Sequence, residues 1–154
     1  MDIYVIALTL GIVAGLRSMT APAAVSWAAY LGLIDLESTW LGLLGFGFIP
    51  YLLTFTAIGE LIGDKLSFTP SRKAIFPFAG RIGSGAICGA AVAVQSGDWV
   101  LGALVGIAGA VIGTLGGYEL RTRLTKTLNG KGFAIALLEY LIAVLGACFA
   151  VSHL

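Results

Sequence analysis

The sequence predicts an all-α integral membrane protein, a polytopic bundle of about six transmembrane or partly re-entrant helices. Composition, the lengths of the apolar runs and the distribution of charge support this prediction. Of 154 residues, 58% are hydrophobic and 11% are charged, whereas soluble domains carry about 25% charged residues. The apolar runs follow one another too closely for a separate soluble domain, so residues 1–154 are expected to form one transmembrane domain.

Apolar segments set the predicted helices, and about 20 residues are needed to cross a bilayer core. The segments lie at 3–16, 20–34, 40–64, 80–95, 99–120 and 132–152. The third, fifth and sixth are long enough to cross alone. The other three are shorter, and their length also fits re-entrant half-helices.

Capping residues and prolines mark the expected ends of these helices. Thr20 followed by Pro22 predicts a helix start. The stretches 38–40 and 96–99, each ending in tryptophan, close one apolar run and cap the next. Pro50 lies inside the third segment and predicts a kink there.

The basic residues fall on one side of the membrane if each segment crosses once. That side receives Arg17, Lys65, Arg72, Lys73, Arg81, Arg121, Arg123, Lys126 and Lys131. The opposite side receives Asp2, Asp35, Glu37 and Asp98. The positive-inside rule makes the basic side cytoplasmic and puts the N-terminus outside, as expected for a protein of a cytoplasmic-type membrane. Asp2 before the first run and Arg17 after it invert the charge order of a signal peptide, which favours a retained first helix.

A weak internal repeat is visible when the chain is shifted by 59 residues against itself, and chance similarity of composition is the alternative to a true duplication. Trp40 then falls on Trp99, and Glu60-Leu61 falls on Glu119-Leu120. The hairpins 20–64 and 81–123 would be related by a pseudo-two-fold axis along the membrane normal. In each copy a helix is expected to open just after an arginine.

Glycines recur four residues apart in most of the apolar runs. Such spacing lets helix backbones approach closely where lipid provides no hydrophobic drive for association. A pore-lining or mobile helix is the alternative interpretation. The pairs are Gly11/Gly15, Gly59/Gly63, Gly85/Gly89, Gly102/Gly106, Gly109/Gly113 and Gly113/Gly117.

Carboxylates near the predicted inner boundary are the first candidate site residues. Glu60 and Glu119 each follow an outer tryptophan by 20 residues, which corresponds to about 30 Å of helix. Asp64 lies four residues after Glu60, and Arg123 four after Glu119, so each pair shares a helix face.

Glu139 lies eight residues beyond Lys131, about 12 Å into the membrane. A carboxylate at that depth is costly and should face protein or water. A protonated Glu139, or one that only pairs with Arg17 or Arg81, remains an open alternative. We also expect Arg17 to contact Glu60, Asp64 or Glu139.

The stretch 67–77 is short, basic and aromatic, and it contains Arg72 and Lys73. It is typical of a positive-inside loop on anionic lipid, and a phosphate-binding element is the alternative. The sequence contains no hydrolase triad, P-loop, zinc motif or nucleic-acid module. We therefore expect no cofactor, no metal and no nucleic-acid partner.

Gly15-Leu16-Arg17-Ser18 ends the first apolar run; Glu60-Leu61, Asp64-Lys65-Leu66, a proline-rich turn and a glycine- and alanine-rich second half follow. This pattern resembles the bacterial membrane proteins of domain-of-unknown-function family 4126. The continuation Ser18-Met19-Thr20-Ala21-Pro22 marks a divergent branch. Membership implies a small multi-pass membrane protein and no particular activity.

These observations favour a small transporter or channel-like protein with a polar cytoplasmic vestibule. Its partners would be membrane lipids and a small ion or anionic ligand, and a homo-oligomer is compatible with the sequence. The alternatives are a lipid-phosphate-handling enzyme or flippase that uses Arg17, Arg72 and Arg81, and an accessory subunit without cargo. The vestibule would contain Arg17, Glu60, Asp64, Arg72, Arg81, Glu119, Arg123 and Glu139.

Overall fold

The computed structural model describes residues 2–63, 75–130 and 132–154. Within these ranges the chain forms six α-helices, two short 3-10 helices and no strand, which confirms the predicted all-α fold. The α-helices are α1 (Ile3–Leu16), α2 (Thr20–Tyr30), α3 (Ile49–Gly63), α4 (Ile75–Ala93), α5 (Trp99–Thr127) and α6 (Gly132–Val151). The 3-10 helices are Gly42–Gly45 and Val94–Ser96.

Three stretches of helix are long and apolar enough to cross a membrane: Ile75–Ser96, Trp99–Thr127 and Gly132–Val151. The protein is therefore a membrane protein, and the expectation for the fifth and sixth segments is confirmed. The expectation of one continuous helix for the third is wrong, because α3 begins only at Ile49 and its described part has 15 residues. The chain before it forms the 3-10 helix Gly42–Gly45, and regular helix resumes only at Ile49.

Two prolines explain the errors in the predicted helix ends. Pro50 is the second residue of α3 and produces no kink inside that helix, since the first turn leaves its backbone N–H groups unpaired anyway. Pro77 likewise lies in the first turn of α4, which begins at Ile75 and not near residue 80. Arg81 consequently lies inside α4, so the prediction that a helix opens after it is wrong.

Glycines bring α1, α4 and α5 into backbone contact. A Cβ at Gly106 would collide with the carbonyl of Gly85, and one at Gly11 would collide with the carbonyl of Gly106. Gly89 lies against Gly102 in the same way. The predicted close packing is confirmed for these three helices, whereas Gly59 in α3 has open space beside it.

Polar and aromatic side chains hold α2 to the segment that follows it. The Trp27 indole donates a 2.9 Å hydrogen bond to the Thr54 hydroxyl, and the Ser26 hydroxyl donates to the Leu44 carbonyl. The Trp27 ring also packs edge-on against Tyr51, with 5.0 Å between centroids. Side-chain contacts therefore join α2 to α3 and to the 3-10 helix before it.

The start of α1 lies beside the start of α5. The Tyr4 hydroxyl donates to the Asp98 carboxylate at 3.3 Å. Trp40 packs edge-on against Trp99, with centroids 6.0 Å apart. These contacts define one end of the bundle, which we call the Trp99 end.

The internal repeat stays a prediction. Trp99 begins α5, whereas Trp40 precedes a 3-10 helix, so the two matched tryptophans occupy different local structures. In the first copy, α2 and α3 have 11 and 15 residues; in the second, α4 and α5 have 19 and 29.

Candidate functional site: a break between two short helices

The chain leaves helical geometry between α1 and α2. Arg17 has extended backbone (φ −142°, ψ 112°), which ends α1, and α2 begins only three residues later at Thr20. We call Arg17–Met19 the helix break. Such a break exposes unpaired carbonyls at the end of one helix and unpaired N–H groups at the start of the next.

Glu60 of α3 satisfies the N–H groups at the start of α2. Its Oε1 accepts hydrogen bonds from the Ser18 N–H and the Ser18 hydroxyl, both at 3.1 Å. Its Oε2 accepts one from the Met19 N–H, also at 3.1 Å. A carboxylate is favoured there because unpaired N–H groups and the helix dipole both attract negative charge.

Thr114 of α5 satisfies a carbonyl at the end of α1. Its hydroxyl donates to the Gly15 carbonyl at 3.2 Å, and the Thr114 side chain is buried. Gly15 also lies directly against Ala110 and Gly113. Thr114 lies 15 residues after Trp99, so the break is level with the middle of the 29-residue α5.

Arg17 is buried in the protein at the break, with 1% of its surface exposed. Its Nη2 donates to the Ala136 carbonyl in α6, a long hydrogen bond of 3.5 Å. Glu139 lies three residues after Ala136 on the same helix and is 5% exposed. The predicted contact of Arg17 with Glu60, Asp64 or Glu139 stays a prediction.

Arg81 lies at the same level as Arg17. Gly85 of α4 packs against Gly106 and Ala110 of α5. Gly89, which comes later in α4, packs against Gly102, which comes earlier in α5, so the two helices run antiparallel. Arg81, one turn before Gly85, is therefore level with Ala110 and the residues after it. It is 6% exposed, and the neighbouring Ser84 is buried too.

Glu119 and Arg123 have a different environment. They form an i, i+4 ion pair on α5, with 2.9 Å between Arg123 Nε and Glu119 Oε1. Their side chains are 61% and 77% exposed. The structure thus brings Glu60 to the break and keeps Glu119 on the surface of α5, while Asp64 and Arg72 lie outside the described residues.

Some residues of the site were not identified from sequence. Ser18 and Met19 act mainly through backbone N–H groups, which no side-chain pattern reveals. Thr114 could have been identified from sequence. It places a hydroxyl inside a glycine-rich apolar run, where a polar group needs a hydrogen-bond acceptor in the protein. No group of three metal-ligating side chains occurs in the described part of the chain.

The family model described as "Domain of unknown function (DUF4126)" matches residues 4–153. The chain belongs to this family. The match includes the helix break and every described site residue, so the resemblance inferred from the first glycine–leucine–arginine motif is confirmed. No curated protein and no solved structure matches the chain.

Proposed function

We propose that the protein is a small multi-pass transporter that moves a small anion past the helix break. The observation that carries this proposal is the burial of Arg17 at an interruption between two short helices. Interrupted helices form substrate sites in many transporters, because their free ends present backbone groups to an ion inside the membrane.

The depth of the break supports this function. At 1.5 Å per residue, α1 is about 21 Å long and α5 about 43 Å long, against a hydrocarbon core of about 30 Å. With the Trp99 end at one membrane interface, Arg17 lies inside the core and nearer the opposite interface. A buried ionisable residue at such depth is costly and marks an ion or substrate pathway by default.

The hydrogen-bond donors at the break favour an anion. Arg17 and Arg81 balance Glu60 and Glu139 in formal charge when all four are ionised. Glu60 already occupies an anion position on the N–H groups of Ser18 and Met19. An anion that takes the place of the Glu60 carboxylate would meet the two N–H groups at the positive end of α2, with Arg17 and Arg81 at the same level.

The proposed orientation has the Trp99 end outside and the basic loops in the cytoplasm of a bacterial inner membrane. In a background without Cys88 and Cys148, Asp98→Cys should react with impermeant thiol reagents from outside. Lys126→Cys should react only from inside. The reverse labelling pattern would contradict this orientation and move the vestibule to the outer side.

A small ligand suits the site better than a lipid headgroup. The lipid-phosphate alternative uses Arg17, Arg72 and Arg81, of which Arg17 and Arg81 are buried inside the protein. A lipid phosphate lies at the interface with its tails in the hydrocarbon, where exposed basic side chains meet it more readily.

Anion flux into liposomes that contain the purified protein tests the proposal. A panel of chloride, nitrate, formate, acetate and phosphate should reveal selective, saturable uptake that empty liposomes lack. Arg17→Lys and Arg81→Lys should reduce it, because lysine loses the planar guanidinium fork. Arg123→Lys, in the exposed pair on α5, is the matched control and should retain wild-type flux.

Two outcomes would contradict transport. Folded protein in liposomes without flux of any panel anion favours an accessory subunit. Equal flux for wild type, Arg17→Lys and Arg81→Lys would remove the break from the pathway.

A further inference from the structure

The three donors that hold Glu60 have the geometry of a carboxylate-binding site. Ser18 N–H and the Ser18 hydroxyl bind one carboxylate oxygen, and Met19 N–H binds the other. We call these three groups the carboxylate site. Both oxygens of one planar group are used, so the site fits a planar monoanion better than a tetrahedral phosphate or sulfate.

A second polar group lies beside this site. Thr20, the first residue of α2, is 7% exposed, and its hydroxyl has no hydrogen-bond partner among the described residues. A buried hydroxyl without a partner costs free energy in the folded protein. A free carboxylate is not tethered to α3, so it can bind the same donors in an orientation in which one oxygen also accepts from the Thr20 hydroxyl, which the Glu60 carboxylate does not.

Glu60 can leave the carboxylate site more easily than a residue of the central helices. It is half-buried, on a helix that is joined to α2 by side-chain contacts. Its neighbour Gly59 has open space beside it, whereas glycines of α1, α4 and α5 touch other backbones. Movement of α3 therefore breaks no backbone packing at Gly59.

We infer that the transported anion is a small monocarboxylate, and that it displaces the Glu60 side chain from the carboxylate site. This inference rests on the proposed function and names its substrate class. Glu60 is then an internal competitor, which holds the start of α2 together whenever the substrate is absent. No covalent bond is made or broken, because one carboxylate replaces another on the same hydrogen-bond donors.

Rescue of Glu60→Ala by acetate tests the inference without any transport measurement. Alanine keeps the Cβ, and acetate has the same two carbons as the group removed. The purified variant should melt at a lower temperature than wild type in chloride, and acetate should raise its melting temperature saturably. Acetate should bind the variant at least about tenfold more tightly than wild type, whose site is filled by Glu60.

The control variant is Glu119→Ala, which removes a carboxylate from the exposed pair on α5. It should show no specific response to acetate over chloride at equal ionic strength. Sulfate and phosphate should not replace acetate in Glu60→Ala. Decanoate tests a membrane source of the carboxylate, and rescue by decanoate without rescue by acetate would overturn the assignment of a small soluble acid.

A second variant covers the case in which Glu60→Ala does not fold. Glu60→Gln keeps the length of the side chain, but its NH₂ group cannot accept from the Met19 N–H, so it competes less well for the carboxylate site. It should fold, and in liposomes half-saturation should occur at an acetate concentration about tenfold lower than in wild type, the ratio that corresponds to one hydrogen bond of about 1.4 kcal/mol. Unchanged half-saturation would overturn the inference.

The two proposals fail differently. If acetate stabilises Glu60→Ala but the protein transports no anion, the carboxylate site is supported and the transport function is contradicted. If the protein transports anions but acetate does not stabilise a folded Glu60→Ala, transport is supported and the role of Glu60 as the competitor is contradicted.

Discussion

The α1–α4–α5 core and the α2–α3 pair are assembled by different means. In the core, backbones touch at glycines, as between Gly85 and Gly106. Around α2 and α3, an indole joins the two helices, the Glu60 carboxylate joins α3 to the helix break, and a hydroxyl joins α2 to the 3-10 helix Gly42–Gly45. Backbone contacts leave no room for adjustment, whereas hydrogen-bonded side chains can exchange partners. The comparison indicates a fixed frame in the core and a movable element in α3.

Arg17→Ala should have the largest effect, because Arg17 connects the end of α1 in the frame to α6. Loss of a buried charge leaves uncompensated polar groups behind, at about 3–5 kcal/mol if the site is dry. We expect a marked fall in melting temperature in detergent. The melting temperature of Arg17→Lys should fall less. Equal melting temperatures for wild type, Arg17→Ala and Arg17→Lys would leave Arg17 only a role in topology.

Gly106→Ala tests the frame directly. The new Cβ would collide with the Gly85 carbonyl, so α4 and α5 must separate, at about 1–3 kcal/mol. Gly116→Ala is the matched control on the same helix, since nothing lies within 4 Å of a Cβ there. Thermal unfolding that is equally affected by both variants would contradict backbone packing as the source of rigidity.

Glu60→Gln should have an intermediate effect on the movable element. The amide can replace one oxygen, but its NH₂ group cannot accept from the Met19 N–H. The charge-assisted character of the bonds is lost as well, so we expect a cost of about 1–2 kcal/mol. A double-mutant cycle with Arg17→Ala in detergent melts measures coupling across the break, and additive effects would separate Arg17 from Glu60.

Glu119→Gln should have the smallest effect. The Glu119–Arg123 pair is mostly exposed, and exposed i, i+4 pairs contribute about 0.3–0.5 kcal/mol before screening. The melting temperature should stay within error of wild type. A loss comparable with that of Glu60→Gln would show that the two carboxylates have equivalent environments, as the internal repeat requires.

The sequence was sufficient to predict the helices that consist of long apolar runs. It was not sufficient where backbone geometry determines whether an apolar run forms an α-helix. α5 and α6 begin where predicted, at Trp99 and Gly132, since composition alone determines them. The third apolar run was predicted as one helix, but its first half is not α-helical, because Gly42–Gly45 is as apolar as a helix and forms a 3-10 turn. Hydropathy does not distinguish these conformations.

The candidate site shows the same division. Arg17, Glu60, Arg81 and Glu139 were identified because charge inside apolar sequence is rare and costly. The environments of these residues were not predicted. Glu60 and Glu119 have the same spacing from a tryptophan, yet Glu60 is half-buried and the Glu119 side chain is 61% exposed. What separates them is that Glu60 meets the start of α2, a contact between residues 42 positions apart.

The helix break also bears on how the protein enters the membrane during synthesis. The hydroxyl that satisfies the Gly15 carbonyl and the carbonyl that accepts from Arg17 are translated 99 and 119 residues later. The first two helices must therefore wait, with a charged residue between them, until α5 and α6 emerge. Stalled ribosomes that expose chains ending before Thr114 should carry α1 and α2 in a protease-sensitive state, which becomes protected once α6 is complete.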